Sequence, residues 1–205
     1  MRSRPFWGWR IAVASGIGLA CSVPTTVAAT FSVFLSHVLG EFHWSQSAAF
    51  GALLPGVLAG VPLAPVIGGL VDRYGARRVV LLAFLSEALV LASFYLQTDA
   101  IWTYYLRYMT LGIVGLGTAH VAFARVISLW FDRHRGLALG IALAGVGIGG
   151  VIWPLYVQRM IDLYGWRSAF VILGGTLFAI VAIVVLPLLR DTPASVGQTV
   201  DGEEQ

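Results

Sequence analysis

Six apolar runs dominate the chain, at about 10–38, 47–70, 78–97, 101–130, 137–160 and 168–189, and only a few residues connect each to the next. A helix needs roughly 20 residues to cross the hydrocarbon core of a bilayer, and every run reaches that length. In lipid the backbone must satisfy its own polar groups, so a spanning chain forms helices or a closed barrel. Barrel strands alternate apolar and polar residues, and these runs do not. The expectation is an all-α polytopic membrane protein with six transmembrane helices in a bundle at 1–189. The connections "GEFHWSQS", "VDRYGARR", "QTDA", "FDRHRG" and "DLYGWR" are so short that successive helices must be antiparallel neighbours. The remainder, "RDTPASVGQTVDGEEQ" at 190–205, is polar, contains Pro and Gly and ends acidic, which predicts a disordered cytoplasmic tail.

Charge is scarce, at 11% of residues against about 25% in soluble domains. All thirteen basic residues are arginines. Arg2, Arg4, Arg10, Arg73, Arg77, Arg78, Arg133, Arg135 and Arg190 fall on one side of the expected bundle; Arg107, Arg159 and Arg167 fall on the other, with Glu41, Asp99 and Asp162. Basic loops stay inside, which puts both termini in the cytoplasm and the protein in a plasma or inner membrane as a multi-pass chain. Trp7, Trp9, Trp102, Tyr104, Tyr105, Trp130 and Phe131 mark the water interfaces. The net charge of +3 sits in short loops and forms no groove for nucleic acid. The basic start followed by an apolar segment has the form of a signal peptide, but the apolar part is too long for one and reads as a retained first helix. Cys21 is the single cysteine, so no disulfide framework exists.

An internal repeat is visible. "DRYGAR" at 72–77 and "DLYGWR" at 162–167 share D-x-Y-G-x-R, and each follows the second helix of a triplet, on opposite sides of the membrane. Gly60 and Gly150 fall in the same register. Helices one to three and four to six then form two inverted three-helix repeats, the organisation of secondary transporters.

"GGLVDRYGARR" resembles the signature G-x-L-x-D-R-x-G-x-R-[RK] between helices two and three of the major facilitator superfamily, with Gly68, Leu70, Asp72, Arg73, Gly75, Arg77 and Arg78 in the matching places. "WFDRHRGLALGIALAGVGIGG" at 130–150, "YGWRSAFVILGG" at 164–175 and "RDTPASVG" at 190–197 resemble the branch of monocarboxylate porters and oxalate/formate antiporters. The resemblance implies one six-helix half of a twelve-helix fold, with the tail resembling the start of the central linker. It implies transport of a small organic anion by alternating access, coupled to a proton or a counter-substrate, with membrane lipid and a second six-helix half as partners. The alternative is a truncated or partner-binding six-helix protein without transport of its own. Six helices would also suit an intramembrane protease, but the runs hold no convincing Ser/His pair, no paired aspartates and no cluster of metal ligands, so neither an enzyme nor a cofactor or metal is expected.

The same motifs suggest residue roles. In the superfamily the aspartate matching Asp72 latches the cytoplasmic side against the second half; otherwise the loop is a topological anchor, with Gly75 permitting a tight reversal. Gly136, Gly140, Gly145 and Gly149 on helix five let helix backbones approach closely, either between halves or inside the bundle. Pro55, Pro62, Pro65 and Pro154 would bend helices two and five. Polar residues at membrane depth are the default site candidates. Arg125 and His120 on helix four are expected to face a cavity and attract the anion, unless Arg125 snorkels to the inner surface. Glu87 on helix three is placed to pair with Arg125. Thr25, Thr26, Thr30 and Ser32 on helix one are weaker candidates, since each hydroxyl also suits its own helix backbone. The resemblance favours helices one and four as cavity-lining and disfavours Glu87. The superfamily's arginine at the start of helix four is not carried across, because Tyr108 stands in its place and Arg107 is one residue off.

Overall fold

The computed structural model describes residues 6–202, and Arg2 and Arg4 lie outside them. The described residues are mostly helical, with short non-helical connections, and contain no strand. Five helical runs are long and apolar enough to cross a membrane: Gly8–Phe42, Gln46–Tyr74, Ala76–Leu96, Ile101–Trp130 and Arg135–Leu188.

The first run is two helices, α1 (Gly8–Cys21) and α2 (Val23–Phe42), separated at Ser22, whose ψ of 151° leaves the helical region. Pro24 explains the break: in a continuous helix it would offer no N–H to the Ala20 carbonyl and its ring would clash with that carbonyl, whereas in the first turn of a new helix it fits. The hydroxyls of Ser22 and Thr25 both donate to the Leu19 carbonyl at 2.8 Å, satisfying a group the break would expose. Next come α3 (Gln46–Gly51) and α4 (Leu53–Tyr74), the latter with Pro62 and Pro65 inside it, and then α5 (Ala76–Ser93). The fourth run is again broken. α6 (Ile101–Thr118) ends where Ala119 is extended (φ −80°, ψ −179°), and α7 (His120–Trp130) follows.

The last helix, α8 (Arg135–Ile180), continues as a helical run to Leu188 but is not straight. Tyr156 and Thr176 share a hydroxyl–hydroxyl bond of 2.7 Å. Twenty residues of continuous helix would separate them by about 30 Å, so the run doubles back between them. The reversal is at Gly165, whose φ of 78° and ψ of 159° match the 83° and 149° of Gly75 between α4 and α5. The two D-x-Y-G-x-R segments therefore make the same turn with the same glycine conformation.

Close backbone approach organises the bundle. A Cβ on Gly145 would lie 2.9 Å from the Gly16 Cα, one on Gly149 3.0 Å from the Ala20 Cα, and one on Gly112 2.6 Å from the Gly56 carbonyl carbon. These contacts lock α8 to α1 and α6 to α4. Gly136 and Gly140 have nothing within 4 Å. The glycine stripe on α8 is thus two surfaces: Gly145 and Gly149 pack inside the bundle, while Gly136 and Gly140 face outward. Near the Gly165 turn, the Phe34, Phe94 and Phe170 rings stack, and Tyr104 and Tyr108 pack edge-on to Phe94. Such pairs contribute about 0.5–1.5 kcal/mol each beyond their burial.

The described part of the tail departs from the expected disorder. Residues 190–202 lie across one end of the bundle with 3-10 turns at Pro193–Val196 and Val200–Gly202. Asp191 accepts from the Arg77 N–H at 3.1 Å, and Asp201 accepts from the Asp132 and Arg133 N–H groups at 3.1 and 2.7 Å. Trp130 Nε1–H donates to the Arg190 carbonyl at 2.9 Å, and the Trp7 N–H donates to Gln198 Oε1 at 2.9 Å. A polar composition suggested a solvated tail, but its acids meet unpaired N–H donors at the starts of helices, where negative charge is favoured. The contacts bring the loops bearing Arg77, Arg133 and Arg190 to one end. At the other end Arg167 bonds Glu41 (2.7 Å) and the Gln97 carbonyl (3.1 Å).

Candidate functional site

The two helix breaks meet. Thr118, the last residue of α6, accepts the Val23 N–H through its hydroxyl oxygen at 3.1 Å, tying the break at Ser22 to the break at Ala119. Beside them opens a cavity of about 310 Å³, lined by Pro24, Thr25, Ala28 and Ala29 of α2, His120 of α7, and Val146 and Gly150 of α8. Its polar residues are few: His120, and Thr25, whose hydroxyl is bonded to the Leu19 carbonyl and the Ser22 hydroxyl. A mainly apolar pocket with one or two orienting polar groups is the usual form of a small-molecule site. Discontinuous helices at membrane depth are where transporters build such sites.

The expected site residues divide. His120 lines the cavity and is exposed to it. Arg125, on another face of α7, forms an ion pair with Asp72 at the end of α4, so it neither joins His120 nor pairs with Glu87. Thr26 and Thr30 are buried and donate to the carbonyls of Ser22 (3.0 Å) and Thr26 (2.7 Å), the backbone bonding that competes with a ligand role. Thr25 lines the cavity, but it too is buried and donates to a backbone carbonyl, that of Leu19. The break itself escaped the sequence reading, although Pro24 after Ser22 and the glycine-rich approach to Thr118 signal it.

In the signature loop, Gly75 takes the positive φ the reversal requires, and Asp191 sits over it: a Cβ there would meet the Asp191 Oδ2 at 2.7 Å. Gly68 lies in open space within α4, and Leu70 is exposed. Arg73 stacks over the Tyr74 ring with its guanidinium carbon 5.3 Å from the centroid. Arg78 borders an apolar groove with Ile67, Tyr74 and Val79. At the neighbouring loop burial would raise the Asp201 carboxyl, but the N–H groups of Arg133, Asp132 and His134 outweigh it and hold it below the ordinary range. Among the described residues no cluster of three or more potential metal ligands occurs.

Residues 17–204 match the family described as Major Facilitator Superfamily. The chain belongs to that superfamily of membrane transporters, and within it fits the monocarboxylate branch; its family is one of transporters and not of enzymes. It is 31% identical over 180 residues to Monocarboxylate transporter 6 of Homo sapiens, covering 82% of this chain and 33% of that protein. It is 32% identical over 194 residues to Monocarboxylate transporter 4 of Mus musculus, covering 89% of this chain and 39% of that protein. The Fujikurins efflux protein of Gibberella fujikuroi is 33% identical over 139 residues, covering 64% and 29% respectively. The chain therefore spans about a third of the length of these relatives.

Proposed function

We propose that the chain is a six-span half of an alternating-access secondary transporter for small organic monocarboxylates, with both termini cytoplasmic and the substrate held at the paired helix breaks. The observation that carries this reading is the cavity between α2, α7 and α8, where His120 and Thr25 are the polar groups on an otherwise apolar wall. A monocarboxylate is an anionic head on a short apolar body; the imidazole suits the head, and Ala28, Ala29 and Val146 suit the body. The relatives named as monocarboxylate transporters support the substrate class. Counting the Arg135–Leu188 hairpin as two supports six spans, and the matched glycine turns at 75 and 165 support an inverted pair of three-helix units. The arginine-rich end is cytoplasmic by the positive-inside rule, which suits a plasma or inner membrane.

A second six-helix half would cover α4 and the first limb of α8, whose Val61, Val151 and Leu155 project outward at 67–71% exposure. Rocking of one half against the other would open the cavity alternately to each side, with a proton or a counter-substrate supplying the energy. The residues of the signature loop, Gly68 to Arg78, and the outward Gly136 and Gly140 would lie along the moving contact. Arg125 serves this reading as the partner of Asp72 in the gate, not as a substrate ligand.

The test is uptake of labelled lactate, pyruvate, oxalate and formate into vesicles holding the chain, alone and co-assembled with a second six-helix half. Uptake should need the second half. It should fall about tenfold or more with His120→Ala, since a hydrogen bond to a charged group contributes about 1.5–3 kcal/mol. Transport of none of the four, or transport indifferent to His120, overturns the assignment.

A further inference from the structure

Among the described residues Glu87 is the one buried carboxylate that neither the cavity nor the gate uses. It lies about 16 Å along α5 from Ala76, counted at 1.5 Å per residue, close to the middle of a bilayer core about 30 Å thick. The residue is 1% exposed. The Thr26 hydroxyl, whose shorter bond goes to the Ser22 carbonyl at 3.0 Å, lies 3.4 Å from Oε1, while Oε2 is shut off from solvent without a hydrogen-bond partner. Among the described residues no arginine or histidine pairs with it. Arg125 is held by Asp72, and Arg107 by Ser93, Gln97 and the Leu96 carbonyl. On the elements packed around α5, Cys21 at the end of α1 is the titratable group that interacts with Glu87. Tyr104 and Tyr108 of α6 pack on each other and on Phe94. His120 of α7 faces the cavity, and the returning limb of α8, 168–189, contains no titratable residue.

We infer that Glu87 is a proton-binding site of the transporter, and that its proton is read out at the substrate cavity through the helix break at Ser22. A metal ion needs several oxygen ligands, and only the Thr26 hydroxyl is at hand, so the ligand that fits is a proton, taken from and returned to water. An unpaired carboxylate in hydrocarbon surroundings costs several kcal/mol. Losing the proton therefore drives α2 and α5 to rearrange until water or a cation reaches Oε2. Thr26 makes that movement consequential. It lies in the first turn after the break, and its neighbour Thr25 lines the cavity opposite His120. The inference deepens the transport reading by naming the coupling group, and rests on that reading only for its transport consequence.

The test begins with infrared spectra of the full chain in lipid nanodiscs at neutral pH. The C=O stretch of a protonated carboxyl should be present, absent in Glu87→Gln, shifted in frequency in Thr26→Val, and unmoved by added sodium chloride. If Glu87→Gln does not fold, the Thr26→Val shift alone identifies the group. A band that both variants leave unchanged, no band at all, or a band abolished by sodium overturns the proton site. In co-assembled vesicles a gradient of one pH unit should support up to about tenfold accumulation of substrate for one proton per substrate, one unit being about a factor of ten in the equilibrium ratio. In Glu87→Gln accumulation should stop at equality while exchange at equal pH continues. Gradient-driven accumulation by the variant overturns the coupling role. The band without uptake by either protein contradicts the transport reading and the coupling role but leaves the proton site standing.

Discussion

Arg125 of α7 is ion-paired with Asp72 at the C-terminal end of α4, so the aspartate of the superfamily signature finds a partner inside this chain. Both side chains are about half exposed, at 46% and 54%. Exposed pairs contribute only about 0.2–1 kcal/mol. A double-mutant cycle of Arg125→Ala and Asp72→Ala, read by thermal unfolding in detergent, should give a coupling in that range that shrinks with added salt. Strictly additive effects would contradict the pair.

Gly75 and Gly165 occupy backbone conformations open essentially to glycine alone. Replacing either by Ala should destabilise the fold by about 1–3 kcal/mol. Gly75→Ala should be the worse of the two, because its Cβ also collides with Asp191 while nothing lies within 4 Å of a Cβ on Gly165. Unchanged unfolding temperatures in either variant would refute the matched-turn reading.

The stripe on α8 predicts a sharp contrast. Gly145→Ala drives a methyl into the Gly16 backbone, which cannot rotate away, and overpacking of this kind costs about 1–3 kcal/mol. Gly140→Ala meets nothing and should change the stability of the chain by less than about 0.5 kcal/mol. Unfolding temperatures of the two variants decide it; a Gly140 variant as unstable as the Gly145 variant would place both surfaces inside the bundle.

Tail docking should depend on pH through Asp201. Its carboxyl lies below the ordinary value because the N–H groups at the start of α8 favour the charged form over the cost of burial. The stabilisation is therefore complete above the undocked value of about 3.9 and is lost as pH falls below it through the docked value. Amide exchange at Asp132 and Arg133 should accelerate across that window, beyond the intrinsic pH effect, and Asp201→Asn should accelerate it at neutral pH. Protection that persists in the variant would show that Asp201 does not hold the tail.

Much of this arrangement was legible in the sequence, for physical reasons that differ by element. The apolar runs are dictated by lipid and announce themselves by length. The two D-x-Y-G-x-R segments announce turns because a positive φ selects glycine. What stayed hidden depends on which face of a helix a side chain takes. His120 and Arg125 are both polar at membrane depth, yet five residues of helix turn them to different sides, one to the cavity and one to Asp72. Thr25, Thr26 and Thr30 look equivalent in a row, and only the break at Ser22 sends Thr25 to the cavity and Thr26 to Glu87. The tail looked solvated because composition cannot report which backbone donors lie within reach of Asp191 and Asp201.

The substrate site at the paired breaks is tested most directly by thiol protection. Cys21 is 2% exposed, so the background is quiet even before Cys21→Ala removes it. In that background His120→Cys, placed in the co-assembled transporter, should react with a membrane-impermeant maleimide. Lactate should slow the reaction with the same concentration dependence as it saturates uptake. Labelling that proceeds at an unchanged rate in saturating lactate would contradict a monocarboxylate site between α2, α7 and α8.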